Sequence, residues 1–560
     1  MTTAAPLRGV GRVAGAAALI AVLTVVSRIA GFGRTAVFTW VVGDRSDLGD
    51  IYLIANTVPN VIFEIVAGGA IASLVVPLLA GVVVAGDRAA VSATTATLLT
   101  WTVTLLVPMA VVVALLAAPI IALVGDDLSP AETAAGVRML RVFAPQLPLY
   151  GIGIVLTGVL QAHRRFAWPV IAPLLSSLTV ICVYLTFAAT QGRGLTVAQV
   201  SLGGELILSV GTTLGVVVLS LSLLIPLRRL RLRLRPGYTF RPDARAKVSG
   251  LALAGAATVA GQNIALLVTL RLTSGGPAGT MVVYNLAQAI YLLPWAVLAV
   301  PLAIAAYPGL AAAHAIGDER AYRLTLAPAA RRVLLLSCLG AAALVATADP
   351  VARFFPGVTG SATVAAAIAG FGPGLLGYGL FALLTRALYA RGDTRAAAVA
   401  TGLGWLVVPA AALLLAATLP VRDRVLALTL ANSIGMLVLG AVLIAVVARR
   451  AGPPALAGLT RSGLVGLLAG GVAAAAGALV AHRLPGLIDV GTPTRPDALL
   501  QGMLSGVVVG LVFLAVAYPL DRHDVRPLLV AAARRLRRLI GRNGADPEHD
   551  RGKGDGGLVR

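Results

Sequence analysis

The chain has 560 residues, of which 58% are hydrophobic and only 12% charged, a balance that excludes an ordinary soluble globular protein. Its formal charge of +22 would suit a nucleic-acid partner, but the basic residues sit in short segments between apolar runs, as in polytopic membrane proteins. Two cysteines, Cys182 and Cys338, each inside an apolar run, and five dispersed histidines indicate neither a disulfide framework nor a metal site.

Apolar stretches long enough to cross a bilayer lie near 15–41, 51–84, 93–123, 139–161, 168–189, 199–225, 248–270, 280–306, 333–348, 362–385, 397–418, 425–447, 462–481 and 499–519. About fourteen helices in an all-α polytopic membrane protein are therefore expected. The first run is longer than a signal peptide and lacks a small-residue cleavage site, so it reads as a span. With a cytoplasmic N-terminus, the cytoplasmic segments hold 33 of the 45 Lys and Arg and the external ones 8, which places both termini in the cytoplasm. The densest basic clusters, Arg228 to Arg235 and Arg534 to Arg538, would lie against anionic membrane lipids.

The long basic connection splits the spans into six and eight. Residues 1–225 form an expected N-terminal lobe, 226–247 a cytoplasmic linker and 248–447 a C-terminal lobe, with a further helix pair at 448–520 and a disordered basic tail at 521–560. A weak echo supports duplication: Leu160-Gln161-Ala162-His163-Arg164 closes the fourth span as Leu388-Tyr389-Ala390-Arg391-Gly392 closes the tenth. Two six-helix lobes around a central cavity, plus two C-terminal helices, is the layout of a repeat-built transporter.

Charge inside the spans points to the site. Arg28 and Arg34 lie in the first run, where an arginine at the bilayer centre costs about 2.5–3.5 kcal/mol on insertion scales and usually faces a wet cavity. A cationic cavity suits an anionic substrate, although either arginine could instead snorkel to an interface. The two are six residues apart, about 120° around a helix, and need long side chains or a bend at Gly31 or Gly33 to converge. On the second span Asn56, Asn60 and Glu64 recur every four residues and form one polar stripe, with Gly68 and Ala72 beyond. Glu64 there needs a cation, supplied by Arg28 or Arg34 in an empty cavity, the alternative being a protonated Glu64 that is only hydrogen-bonded. In the seventh and eighth spans Gln262, Asn263, Asn285 and Gln288 are substrate candidates, with interhelical hydrogen bonding as the plainer role of Gln262 and Gln288. Asp50, at the external start of the second span, is a gate or a simple helix N-terminal charge. Arg271 marks a membrane boundary, and Arg138 and Arg141 read as snorkelling residues.

Gly372-Pro373-Gly374-Leu375-Leu376-Gly377 satisfies G-x-G-x-x-G but lies in a span without strand-to-helix context, so it reads as a close-packing site rather than a dinucleotide loop. There is no Walker A sequence, metal-ligand spacing or nucleophile–base cluster, and no cofactor is expected. An integral membrane polymerase or glycosyltransferase would need catalytic carboxylates and large external loops, whereas the longest external loop is about 482–498.

Several segments together resemble the MurJ/MviN-type lipid II flippases, a family within the multidrug/oligosaccharidyl-lipid/polysaccharide exporters. They are Ser27 to Arg34, Asp50, Leu53 to Asn60, Gly68-Gly69-Ala70, Val76-Pro77-Leu78, Phe166 to Pro173, Gly211 to Gly215 and Arg386 to Arg395. The resemblance implies fourteen helices and alternating access, moving the undecaprenyl-diphosphate-linked peptidoglycan precursor lipid II to the outer leaflet of the cytoplasmic membrane. It implies that Arg28 and Arg34 contact the headgroup, that Asp50 gates, and that the last two helices hold the lipid tail. It also implies a monomer, with lipid II as substrate and cell-wall synthesis proteins as further partners. The chain departs from Gram-negative members by Phe63-Glu64 in place of a basic pair and by Gln288-Ala289 near an expected arginine; both departures resemble actinobacterial members. Export of another isoprenoid-linked saccharide or of a drug is the alternative, and a cationic drug suits two arginines poorly.

Overall fold

The structure is a computed structural model that describes residues 8–530 except 44, 66–74, 76–77, 80–82, 84–85, 164, 233, 240–260, 356–360 and 488–494. Within these residues every long element is a helix. Twelve helices are long and apolar enough to cross a membrane, and they account for all the expected spans except the second and the seventh. Those two fall partly outside the described residues, as do Gly68-Gly69-Ala70, Ala72 and the tail beyond 530.

The first spans are α1 (Arg8–Val42), α2 (Asp47–Phe63), α3 (Arg88–Leu115) with α4 (Ala117–Val124), and α5 (Pro130–Phe143) with α6 (Gln146–Ala162). The fourth expected span is thus two helices, because Pro145 interrupts the run between α5 and α6. Its start is encoded locally: Ser129 and Glu132 close a capping box ahead of Pro130. Then come α7 (Ala167–Gln191), α8 (Leu202–Leu221), α9 (Leu224–Arg228) and the helix 261–274, designated α10. The eighth span is α11 (Thr280–Pro294), a π-helical turn at Trp295–Ala299, and α12 (Val300–Ala315), so it outruns its expected end at 306.

α13 (Glu319–Phe354) likewise overruns the expected 333–348 at both ends. It is followed by α14 (Ser361–Phe371), α15 (Gly374–Ala390), α16 (Thr394–Thr418), α17 (Arg424–Ala451), α18 (Leu459–Leu487) and α19 (Arg495–Leu520). α18 and α19 pack on α13, where Gly466 and Gly470 bring the backbone against Cys338. The glycine-rich decoy is a packing device: a Cβ at Gly377 would run into the Met436 carbonyl of α17, and one at Gly440 would meet Gly377 Cα at 2.7 Å.

The bundle has two unlike ends. Arg88, Arg165 and Arg229 gather round one cavity of the first lobe, and Arg323, Arg391 and Arg450 meet in the second; these groups mark what is here called the basic end. At the opposite end one apolar core runs through both lobes, from Phe38, Leu48 and Tyr52 to Val282, Tyr284 and Phe371. Towards the basic end the lobes keep separate cores, one around Val155, Leu160 and Leu227 and the other around Tyr322, Leu383 and Leu443. Joined at one end and divided at the other, the lobes enclose a space between them.

Candidate functional site

Arg28 and Arg34 line one cavity of about 660 Å³ between the lobes, with Tyr150 and Ser177 from the first lobe and Leu292 and Ala296 from the second. No bend brings them there: α1 runs unbroken through Gly31 and Gly33. Ser176 and Ser177 of the first lobe and Ala289, Leu292 and Leu293 of the second share that cavity wall with both arginines. Among the described residues no ion pair or hydrogen bond engages either guanidinium, and both side chains are exposed to the cavity. A planar guanidinium with unspent donors binds two oxygens of one phosphate at once. Six residues of helix separate the pair by about 9 Å along the axis, a reach that suits an extended anion.

Asn60 and Glu64 line a second cavity of about 410 Å³, which also takes Gln262. Tyr150, Pro169, Pro173 and Leu219 wall both cavities, so these are neighbouring compartments of one space. Glu64 departs from the expected arrangement. Its Oε2 accepts a hydrogen bond from Asn263 Nδ2 of α10 at 3.2 Å, and among the described residues no ion pair joins it to Arg28 or Arg34. The physical reason is placement, since Asn263 on the facing lobe meets the carboxylate while the arginines lie in the other compartment. Asn56, higher on the stripe, belongs to a polar network with Gln146, which also donates to Thr213.

Asn285 and Gln288 are not brought into the arginine cavity. They are half-buried on α11, whose contribution to the wall is Ala289, Leu292 and Leu293. Arg138 does more than snorkel: it grips Glu205 with Nε at 2.8 Å and Nη2 at 2.6 Å.

Asp50 closes the joined end. α11 begins after Gly279, whose φ of 88° only glycine adopts without strain and which has no side chain to cap the helix. Asp50 supplies the cap from the other lobe: Oδ2 accepts from Gly279 N at 2.8 Å and Oδ1 from Val282 N at 3.0 Å. Asp50 thus stands in the first turn of its own helix and at the N-terminus of a helix of the opposite lobe. Gly49 makes the approach possible, because a Cβ there would lie 2.6 Å from Val282 Cγ2.

Arg271 forms a second tie between the lobes at this end. It donates to Leu123 O at 2.7 Å and to Asp126 Oδ1 at 3.0 Å, both in the first lobe. Ser274 Oγ accepts from Asp126 N at 2.7 Å beside it. Gly49 and Arg271 escaped the sequence because their meaning lies in what stands opposite. The π-helical turn at Trp295, which stacks that ring on Tyr378 at 4.6 Å, carried no sequence signal either.

Two helical lobes joined at one end around a cationic space are the architecture of a polytopic membrane transporter. The fold agrees with two solved structures: a lipid II flippase MurJ in an inward closed conformation, with TM-score 0.67 and 18% identity over 90% of this chain and 99% of that one; and an inward-facing multidrug resistance MATE transporter of the MOP superfamily, with TM-score 0.59 and 13% identity over 80% and 95%. The family model of the lipid II flippase MurJ matches residues 43–492, and the chain belongs to that family. A curated relative from Synechocystis sp., a probable lipid II flippase MurJ, is 28% identical over 224 residues, 39% of this chain and 41% of the relative's length.

Proposed function

We propose that this protein moves lipid II from the inner to the outer leaflet of the cytoplasmic membrane by alternating access, with the basic end in the cytoplasm. One observation carries the reading: two arginines that no ion pair engages among the described residues, in a cavity between the lobes that is sealed at the end opposite the basic segments. A diphosphate headgroup crossing hydrocarbon alone would leave buried, unpaired charge at a cost of many kcal/mol. A hydrated cationic space between two lobes replaces the water it loses. Family membership supports this substrate, and the excess of basic residues at one end supports the orientation.

In this reading Arg28 and Arg34 bind the diphosphate and thereby attract both lobes to one ligand. Asn60, Glu64 and Asn263 line the adjoining compartment, where the Glu64–Asn263 contact holds the lobes at a fixed spacing until the load displaces it. Asp50 is the gate at the external end. The helix pair 448–520 takes the polyprenyl tail outside the cavity. The direct test is depletion of the protein followed by leaflet-resolved measurement of lipid II. Lipid II should accumulate in the inner leaflet and wall growth should stop. If it reaches the outer leaflet at the normal rate in cells lacking a second flippase, the substrate assignment is wrong and export of another isoprenoid-linked saccharide takes its place.

A further inference from the structure

A second basic cavity lies well away from the arginines of α1. It has a volume of about 540 Å³ and sits at the basic end of α16 and α17, on the side of the second lobe. Its mouth holds Arg395, Arg449 and Arg450 with one carboxylate, Asp393. Asp393 Oδ1 lies 3.9 Å from Arg450 Nη1, so one of the three cations is partly matched. Among the described residues no ion pair or hydrogen bond engages Arg395 or Arg449, and both are exposed. Neighbouring Arg391 is committed elsewhere, to Glu319 Oε2 at 2.8 Å and to the Arg450 carbonyl at 3.1 Å.

The remainder of the cavity is apolar. Val399 and Leu403 follow Arg395 at four-residue steps on α16, while Val442 and Val446 precede Arg449 and Arg450 on one face of α17. Two parallel stripes, each apolar along its length and cationic at the same end, make a trough with a charged head. Val399 and Leu403 are 56% and 51% exposed, so the floor of the trough faces outward and is not core. A further feature favours phosphate at the head: α16 starts at Thr394, whose amide donates to Gly392 O at 2.9 Å, and its N-cap Asp393 makes no side-chain capping bond, so the positive helix end beside the arginines has no carboxylate cap.

A soluble anion would use the mouth but gain nothing from the floor. A glycerophospholipid uses both, with its phosphate between the arginines and an acyl chain along the valines and leucine. Zwitterionic lipids carry their own ammonium to the arginines, whereas an anionic headgroup does not. We propose that the α16–α17 trough is a binding site for one anionic phospholipid of the leaflet at the basic end. The site is separate from the flippase cavity and stands whether or not the substrate reading does.

The test uses the full chain purified in detergent and native mass spectrometry with dioleoyl phosphatidylglycerol, dioleoyl phosphatidylcholine or inorganic phosphate added. The wild type should retain one phosphatidylglycerol that survives excess phosphate, and phosphatidylcholine should bind about tenfold more weakly because its ammonium group meets the arginines. R395A/R449A should lose that bound lipid. Leu403→Gln should weaken it while leaving the arginines in place, and unchanged melting without lipid shows that each variant is folded. Equal phosphatidylglycerol retention by wild type and R395A/R449A would overturn the proposal. So would displacement by millimolar phosphate, which marks a soluble-anion site, or equal retention of phosphatidylcholine, which marks an apolar trough indifferent to charge.

Discussion

The joined end and the divided end of this bundle are built from the same kinds of helix but are held together differently. At the joined end the lobes share an apolar core and exchange directional contacts: Asp50 on the α11 amides and Arg271 on the loop around Asp126. Towards the basic end the described residues of each lobe form their own core, and Glu64 and Asn263 hydrogen-bond across the cavity. Packing by shared core changes in large steps, whereas one hydrogen bond exchanges readily with water or ligand. The asymmetry therefore assigns the costly half of an alternating-access cycle to the end away from the basic segments.

Removing the cations between the ends should have the largest effect. Arg28→Ala is expected to abolish complementation of a depleted strain without loss of protein from the membrane, because α1 only becomes more apolar. Arg34→Ala should follow the same pattern, and Lys at either position should rescue partly, as a point charge in place of a two-pronged donor. Normal growth with Arg28→Ala at ordinary expression would remove the headgroup-binding role.

Gly49→Ala attacks the joined end itself. The new methyl group meets Val282 and Val42, and overpacking of this kind costs about 1–3 kcal/mol. Part of that cost is relieved by parting the lobes, which raises the population opened at that end by about tenfold per 1.4 kcal/mol. A cysteine at Ala289, on the cavity wall, in a background where exposed Cys182 is replaced by Ser, reports the change. An impermeant thiol reagent added from the joined end should label the Gly49→Ala protein and not the parent. Equal labelling would mean that the shared core does not close the cavity.

Glu64→Gln tests the divided end. The amide can still accept from Asn263 but carries no charge, so slowed transport with retained lipid II binding shows that the charge matters to the loaded state. Unchanged transport reduces the Glu64–Asn263 contact to spacing alone. The smallest effect is expected from Asp126→Ala. The Arg271–Asp126 pair is about half exposed on both sides, and such pairs contribute about 0.2–1 kcal/mol, less in high salt. Cysteine labelling should rise slightly at low ionic strength and match the parent at high salt; a large effect would promote this tie to equal rank with Asp50.

The sequence made the spans legible because a bilayer demands long apolar runs, and made Arg28 and Arg34 legible because charge in such a run needs a reason. It could not separate the two compartments, since the stripe of Asn60 and Glu64 shows a face but not which cation stands opposite. Asn285 and Gln288 share a face that does not reach the arginine cavity, and only the rotation of α11 reveals this. Gly49 looks like any small residue in a span until Val282 is placed against it. The break at Pro145 was visible as a proline, but prolines also lie inside intact helices here, at Pro173 and Pro409. Whether a proline ends a helix is settled by the neighbours that satisfy the freed backbone.

The cap that Asp50 lends to α11 belongs to one conformation only. Any state that parts α2 from α11 strips the Gly279 and Val282 amides of their acceptor and exposes the positive end of the helix to the solution at the joined end. Water or a dissolved anion must then fill the place of the carboxylate. A state open at the joined end is thereby made sensitive to the ionic composition of the solution that bathes it.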